Sequence, residues 1–436
     1  MVQNSTLDQS IQHKMSLPAC RRPRLAILLL SLPLGGAERT MITLANELAR
    51  TGCDVDLVLV RRKGALVSDV APDVRLVVLG TPQPTAMIPI LLRLPWPTLR
   101  LLLAALLRQQ LPAVARSLPR IINYLQSAQP DAFLTTLPNY NIVALWAKWL
   151  SRTRTRFVLC EGNTTSKEVA STDHSFEKKW PILMRQWYPR ADAIVAVSDG
   201  VAADLSRLAR LPRSRITTIF NPLDVNRIRR LASAPIIDDW FFDGAPPVLL
   251  AVGRLAPQKD FPNLLRAFAR VRSRCGVRLV ILGEGPERGR LESLAADLGI
   301  AAHVRMPGAV LNPFSYMARA RLFVLSSAWE GLPTVLMEAL ACGCPIVSTD
   351  CPSGPSEILD GGAFGPLVPS GDDKALAEGI LQALALPIDR RRLRERAEVF
   401  SVHVAVDRYL KVLFGQWQPA TLQPSHVVEK SAALLS

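Results

Sequence analysis

Cysteine is sparse in this chain. The seven residues (Cys20, Cys53, Cys160, Cys275, Cys342, Cys344 and Cys351) are an odd number scattered over 436 positions. That excludes a disulfide framework and suits reduced thiols in a cytoplasmic protein. The one close pair, Cys342-x-Cys344, lacks C-x-x-C spacing and has no second pair to complete a zinc site. Aromatic residues are few, at 6%, and the basic residues lie among leucines and prolines, so no stacking platform for nucleic acid is present. A dinucleotide fingerprint is also missing: after Gly283-Glu284-Gly285 the next glycine, Gly289, falls one position late for G-x-G-x-x-G. Asp54-Val-Asp56 imitates a D-x-D metal motif but opens a strand-like run, so neither a metal nor a cofactor is expected.

Clean membrane spans are lacking as well. The apolar stretch 25–34, preceded by Arg21, Arg22 and Arg24, imitates a signal peptide without its small-residue cleavage site and reads as a buried first strand. Segment 86–107 carries Arg93 and Arg100 with Pro89, Pro95 and Pro97, which a spanning helix tolerates poorly. It reads either as an interfacial segment, leucines inserted and arginines at the headgroups, or as two amphipathic helices on a domain surface.

What is present in abundance is apolar residues, 49% of the chain, and a net charge of +15. The charge is lopsided: residues 1–220 hold 28 Lys and Arg against 15 Asp and Glu, and the remainder is nearly balanced at 24 against 22. A basic first half suits an anionic membrane surface or a diphosphate-bearing substrate. The length suits two domains of roughly 200 residues each. Short apolar runs at 25–32, 55–60, 74–79, 132–135, 156–160 and 193–197 alternate with helix-like segments, and a second set begins at Pro247. That alternation predicts α/β architecture with parallel sheets covered on both faces. The expected units are an N-terminal extension (1–23), a first domain (24–220), a linker (221–246), a second domain (247–389), a C-terminal segment (390–416) and a tail (417–436).

The chemistry concentrates at 323–346, FVLSSAWEGLPTVLMEALACGCPI. Here a strand-like run ends, Gly331 and Pro333 turn the chain, and a helix follows, with Glu330 in the turn and Glu338 one helical turn inside. A helix N-terminus exposes unpaired N–H groups and can hold a phosphate, leaving one acid for each end of an attached ligand. Arg254 and Lys259, just past the first strand of the second set, can meet a diphosphate. Gly35-Gly36, after the first strand of the chain, lets backbone approach a phosphate closely.

These residues, with Gly35-Gly36-Ala37-Glu38-Arg39, Asn221-Pro222-Leu223-Asp224, Gly343-Cys344-Pro345 and Cys351-Pro352-Ser353-Gly354-Pro355, resemble the family 4 retaining glycosyltransferases and their E-x7-E signature. The resemblance covers most of the chain and implies the GT-B fold, two Rossmann-like domains with parallel sheets facing across a cleft, and one helix within 390–416 that packs back on the first domain. It also implies the site: Glu330 on the donor sugar's hydroxyls, Glu338 on the ribose hydroxyls, and Arg254 and Lys259 on the departing diphosphate. Gly35, Gly36, Gly253, Gly331, Leu332, Pro333 and Thr334 complete the donor-binding set. Partners implied are a nucleotide sugar, best read as a UDP-linked hexose or N-acetylhexosamine, and a lipid-linked or polysaccharide acceptor at the inner face of the cytoplasmic membrane.

One departure stands out. Many relatives carry a histidine near the end of the strand at 156–160, where this chain has Glu161 and Asn163. Glu161 reads either as the group that orients or deprotonates an acceptor hydroxyl or as a structural cap, and His174 is a further acceptor-side candidate. Two other functions fit the same motifs: a sugar-nucleotide epimerase of this architecture, and a non-catalytic nucleotide-sugar-binding protein.

Overall fold

The computed structural model describes residues 21–82, 88–107, 112–174, 176–242 and 244–415. Two wholly parallel sheets organise it. The first contains β1 (Arg24–Leu29), β2 (Asp54–Leu59), β3 (Val74–Val78), β4 (Ala132–Thr136), β5 (Arg156–Glu161), β6 (Ala193–Ala196) and β7 (Ile216–Thr218), in the order β3-β2-β1-β4-β5-β6-β7. The second contains β8 (Val248–Val252), β9 (Arg278–Leu282), β10 (Val304–Gly308), β11 (Leu322–Leu325), β12 (Ile346–Thr349) and β13 (Leu367–Val368), in the order β10-β9-β8-β11-β12-β13. Residues 25–29 form the middle of the first sheet, each buried, so the run that imitates a signal peptide is a central strand.

Helices cover both faces, which is why the inner strands are apolar almost without interruption. Polar exceptions are paired: Asp56, the second acid of the D-x-D look-alike, is buried in β2 and accepts hydrogen bonds from Arg75 Nε (2.7 Å) and Tyr124 Oη (2.5 Å). In both sheets the strand order reverses beside the first strand, between β1 and β4 and between β8 and β11. Crevices open at such points beyond the carboxyl ends of the strands.

The connection between the halves corrects two expectations. Segment 221–246 is not a plain linker: Val225–Ala232 is a helix capped by the Asp224 side chain, and its buried Val225, Ile228 and Ala232 face the second domain's helices Phe314–Arg319 and Thr334–Cys342. Nor does one helix cover 390–416. Helix Arg390–Glu398 stays on the second domain, where Arg390 donates to the carbonyls of Ala318 (3.3 Å) and Gly343 (3.1 Å). The chain then crosses at Phe400 and Ser401, and helix Val402–Phe414 packs on the first domain, with Tyr409 Oη against Cys160 Sγ (3.5 Å). The break has a physical cause, because this backbone is used elsewhere: Leu223 N donates to Phe400 O (2.9 Å) and Val402 N to Leu223 O (3.0 Å).

Segment 86–107 contains helices Ile88–Leu91 and Trp96–Leu107, the second anchored by Trp187 Nε1 on Thr98 Oγ1 (3.0 Å). Residues 1–20 and the tail after 415 lie outside the described residues, as do the expectations placed on them.

Candidate active site

The loops that follow β8 and β11 are neighbours because those strands pair, so Lys259 and Glu330 meet although 71 positions separate them. Lys259 Nζ lies 2.5 Å from Glu330 Oε1, and Ser327 Oγ donates to the same oxygen at 2.6 Å. Glu330 is 6% exposed and its Oε2 has no partner among the described residues. The stem of Lys259 rests on Gly253, where an added Cβ would stand 3.1 Å from Lys259 Cε. Two further bonds lace the loops together: Ser326 Oγ to Lys259 O (2.7 Å) and Gln258 Nε2 to the Trp329 carbonyl (3.1 Å). The result is a fixed acid and cation at the mouth of the β8/β11 crevice.

Helix Thr334–Cys342 starts four residues after Glu330, with Pro333 at its N-cap. Glu338 stands one turn inside, 7% exposed, and burial raises its carboxyl pKa against the pull of the Arg39 guanidinium. Gly36 of the first domain faces the helix start; a Cβ there would sit 3.4 Å from Thr334 Oγ1. Between Gly36, Arg39 and Glu338 is a cavity of about 30 Å³. Ligand pockets measure roughly 300–1,000 Å³, so the space as it stands is far smaller than a nucleotide-sized ligand needs.

The turn after Glu330 is held from the other side of the cleft. Three consecutive carbonyls accept side-chain hydrogen bonds: Glu330 O from Thr164 Oγ1 (2.5 Å), Gly331 O from Ser198 Oγ (2.8 Å) and Leu332 O from Asn221 Nδ2 (3.3 Å). Asn163 pairs with Gly331 as an isolated antiparallel bridge. Nearby, the Glu357 carboxylate accepts from the backbone N–H of Asp199 (2.8 Å) and Gly200 (3.0 Å), capping first-domain helix Asp199–Ala209 with a second-domain acid. None of these contacts across domains is legible in the sequence.

Arg254 does not join Glu330. It is exposed past β8, and its charge instead reaches Glu168 of the first domain. The acceptor-side expectations need correction. Glu161 is 0% exposed and lies beneath the cleft wall: it accepts from Tyr188 Oη, from Asn141 Nδ2 (2.6 Å) and from Thr165 Oγ1 (3.2 Å). His174 is on the exposed surface, its backbone N–H bonded to Thr172 Oγ1 (3.2 Å). Asn163 alone of the three reaches the Glu330 turn.

Glu161 carries a pH prediction. Burial pushes its carboxyl from 4.5 up to about 7, against the hydrogen bonds from Tyr188 and Asn141 that pull it down. Between those values the folded protein holds a proton that the unfolded chain has released, so stability falls as pH rises through that window. Glu161→Gln removes the effect. Urea unfolding at pH 5 and pH 8 is expected to show a loss on the order of 3 kcal/mol in the wild type that the variant lacks. Equal losses in both proteins would count against it.

The sequence matches the family described as Glycosyltransferase Family 4 over residues 34–227 and that described as Glycosyl transferases group 1 over residues 234–400. It is 31% identical over 399 residues, 90% of this chain and 100% of the relative, to the N-acetylgalactosamine-N,N'-diacetylbacillosaminyl-diphospho-undecaprenol 4-alpha-N-acetylgalactosaminyltransferase of Campylobacter jejuni. The lipopolysaccharide core biosynthesis glycosyltransferase LpsE of Rhizobium meliloti is 34% identical over 232 residues, 52% of this chain and 65% of that protein. Among solved structures, Anabaena Alr3699/HepE in complex with UDP-glucose superposes with a TM-score of 0.71 at 18% identity, covering 89% of this chain and 99% of that one. The two facing sheets are those of the GT-B fold, and the chain belongs to glycosyltransferase family 4.

Proposed function

We propose that this glycosyltransferase moves a hexose or N-acetylhexosamine from a UDP donor to a hydroxyl of a lipid-linked glycan, with retention and without a metal. The observation that carries the reading is the Lys259–Glu330 pair at 2.5 Å beside the N-terminus of helix Thr334–Cys342. As the bond from the sugar's C1 to the diphosphate breaks, negative charge grows on the leaving oxygen. Lys259 and the helix N–H groups are a fixed cation and fixed dipoles for it, stronger in the transition state than before it, and Arg254, exposed past β8, is a further cation on the same strand end. The acceptor oxygen bonds to C1 on the face the diphosphate leaves, and its proton passes to the departing phosphate oxygen. Glu330 orients the donor sugar through its hydroxyls, and Glu338 takes the ribose. The C. jejuni relative names a diphospho-undecaprenol acceptor and the Anabaena structure holds UDP-glucose, which supports the acceptor and donor classes.

An exposed apolar surface on the first domain supports the reading of a lipid-linked acceptor. Trp96 is 67% exposed, and Leu92, Trp149 and Ile182 are exposed too, around the buried Trp187 that bonds Thr98 and meets the Trp149 ring at 6.3 Å. Arg190 lies over the Trp149 and Trp187 rings, and Arg93 and Arg100, on the same segment as Trp96, are exposed. Inserted aromatics ringed by arginines suit an anionic bilayer surface. Among the described residues no helix is long and apolar enough to cross it.

One assay tests the reading: UDP-sugars with a polyprenyl-diphosphate glycan in vesicles, product anomer read by NMR. Expected are a retained anomer, activity that survives a chelator, and faster transfer on anionic than on neutral vesicles, an advantage lost in Arg93→Glu/Trp96→Glu. An inverted anomer overturns the mechanism, loss with chelator the metal-free chemistry, and indifference to vesicle charge the membrane surface.

A further inference from the structure

The first-domain wall of the cleft holds an acid that the proposed chemistry has not used. Helix Thr165–Ser171 begins directly after Asn163 and Thr164, the two residues that grip the turn at Glu330 and Gly331. In its first turn stands Glu168, half-buried. Asn163 ties it to the site: the side-chain amide donates to Glu168 Oε1 at 2.6 Å while its own Oδ1 accepts from Thr164 N at 2.9 Å. Glu168 Oε2 has no partner among the described residues. The cation nearest in effect is Arg254, which reaches it from the second domain.

An acid in the first turn of a helix is favoured by the helix dipole, and that would account for its presence. It does not account for a carboxylate with one oxygen held by Asn163 at the Glu330 turn and the other left open in the cleft. Open to solvent at the cleft wall, that oxygen can exchange a water for a ligand hydroxyl without rearrangement of the carboxylate.

Resting on the transferase reading above, we infer that Glu168 positions the acceptor: its open oxygen takes a hydrogen bond from a hydroxyl of the acceptor sugar next to the attacking one. It stands on the first-domain wall of the cleft, beside Asn163 and across from the Glu330 turn. The class of acceptor implied is a pyranose with a free neighbouring hydroxyl, and Glu168 is a specificity-determining residue and not the proton acceptor, since the departing phosphate takes the proton. Asn163 fixes its rotamer.

Burial, and the charge of Glu177, push the Glu168 carboxyl up to about 6, while Asn163 and Arg254 pull it down. Glu161 lies close enough to feel it, and Asp204, on the helix packed against it, accepts from Ser166 N. Ionised Glu168 is the better acceptor of a hydroxyl, so acceptor KM should fall as pH rises through this range.

The test is steady-state transfer by Glu168→Gln, with donor binding followed separately by UDP-induced thermal shift. Acceptor KM is expected to rise roughly 10- to 100-fold, the range for a hydrogen bond to a charged group, with kcat within about threefold and the UDP shift unchanged. The pH dependence of acceptor KM near 6 should vanish in the variant, and Asn163→Ala should raise acceptor KM in the same direction by less. An unchanged acceptor KM overturns the assignment. So does a collapse of kcat at constant KM, the mark of a general base, or a loss of UDP binding, the mark of a structural prop. Wild-type protein that transfers no sugar overturns the transferase reading and this one with it; wild-type transfer with an unmoved Glu168→Gln overturns this one alone.

Discussion

Glu330→Gln is expected to leave a folded protein that transfers sugar roughly 1,000-fold more slowly, the upper range for removing one preorganised polar group from a transition state. Gln keeps the shape, so Ser327 can still donate to its oxygen at 2.6 Å and the turn stays ordered. What goes is the charge. Lys259 Nζ loses the anion it meets at 2.5 Å and turns to the diphosphate, so UDP binding holds or tightens while the sugar loses its orienting acceptor. A split of this kind, with kcat lost and donor affinity kept, separates a catalytic acid from a binding one. Lys259 keeps some contact with water, its side chain being 16% exposed, so the melting temperature should drop by only a few degrees. Single-turnover product formation and thermal unfolding check the two halves. Wild-type transfer by this variant would remove Glu330 from the mechanism.

Gly331→Ala should be nearly as damaging without touching a charged group. A Cβ at Gly331 would stand 2.0 Å from Gly162 O and 2.7 Å from Asn163 Cα, atoms of backbone that cannot rotate away. The domains must therefore separate there by about an ångström or more. That loosens the Ser198 bond to Gly331 O and the Thr164 bond to Glu330 O, on which the catalytic turn depends. Misplacement of this size costs on the order of 100-fold in rate. Each sheet and its helices are untouched, so amide exchange should rise at 163–164 and 331–332 and stay slow in β1 and β8. Full activity, or global loss of protection, would contradict the clasp.

How far the sequence disclosed this molecule depended on burial. Inner strands such as β1 and β5 are unbroken apolar runs because both faces are covered, and they were visible. The strands that escaped notice were β7, β10 and β13, all at sheet edges, short and partly exposed, so that Thr217, Arg305 and Pro307 interrupt any apolar signal. The acid pair at 330 and 338 was readable because strand end, turn and helix start are adjacent in the chain. Contacts across domains were not, since nothing local distinguishes Thr164 or Glu357 from a surface residue. The same limit left both readings of Glu161 open: it sits at a strand end, as a cleft acid should, but its side chain turns under the sheet rim into the Asn141 and Tyr188 hydrogen bonds, as a structural cap does, while Glu168 keeps one oxygen without a partner among the described residues.

The twin crossing between the halves has a mechanical outcome. Because Leu223 is bonded to both Phe400 and Val402, and the Phe220 and Phe400 rings touch at 5.5 Å, two separate tethers behave as a single pin. Sliding one lobe past the other would tear that ribbon; swinging about it would not. A swing moves atoms in proportion to their distance from the axis, and Leu223 itself lines the cavity at Glu338. The Glu338 end of the gap thus yields least and the outer rim most, so the mouth widens before the floor does.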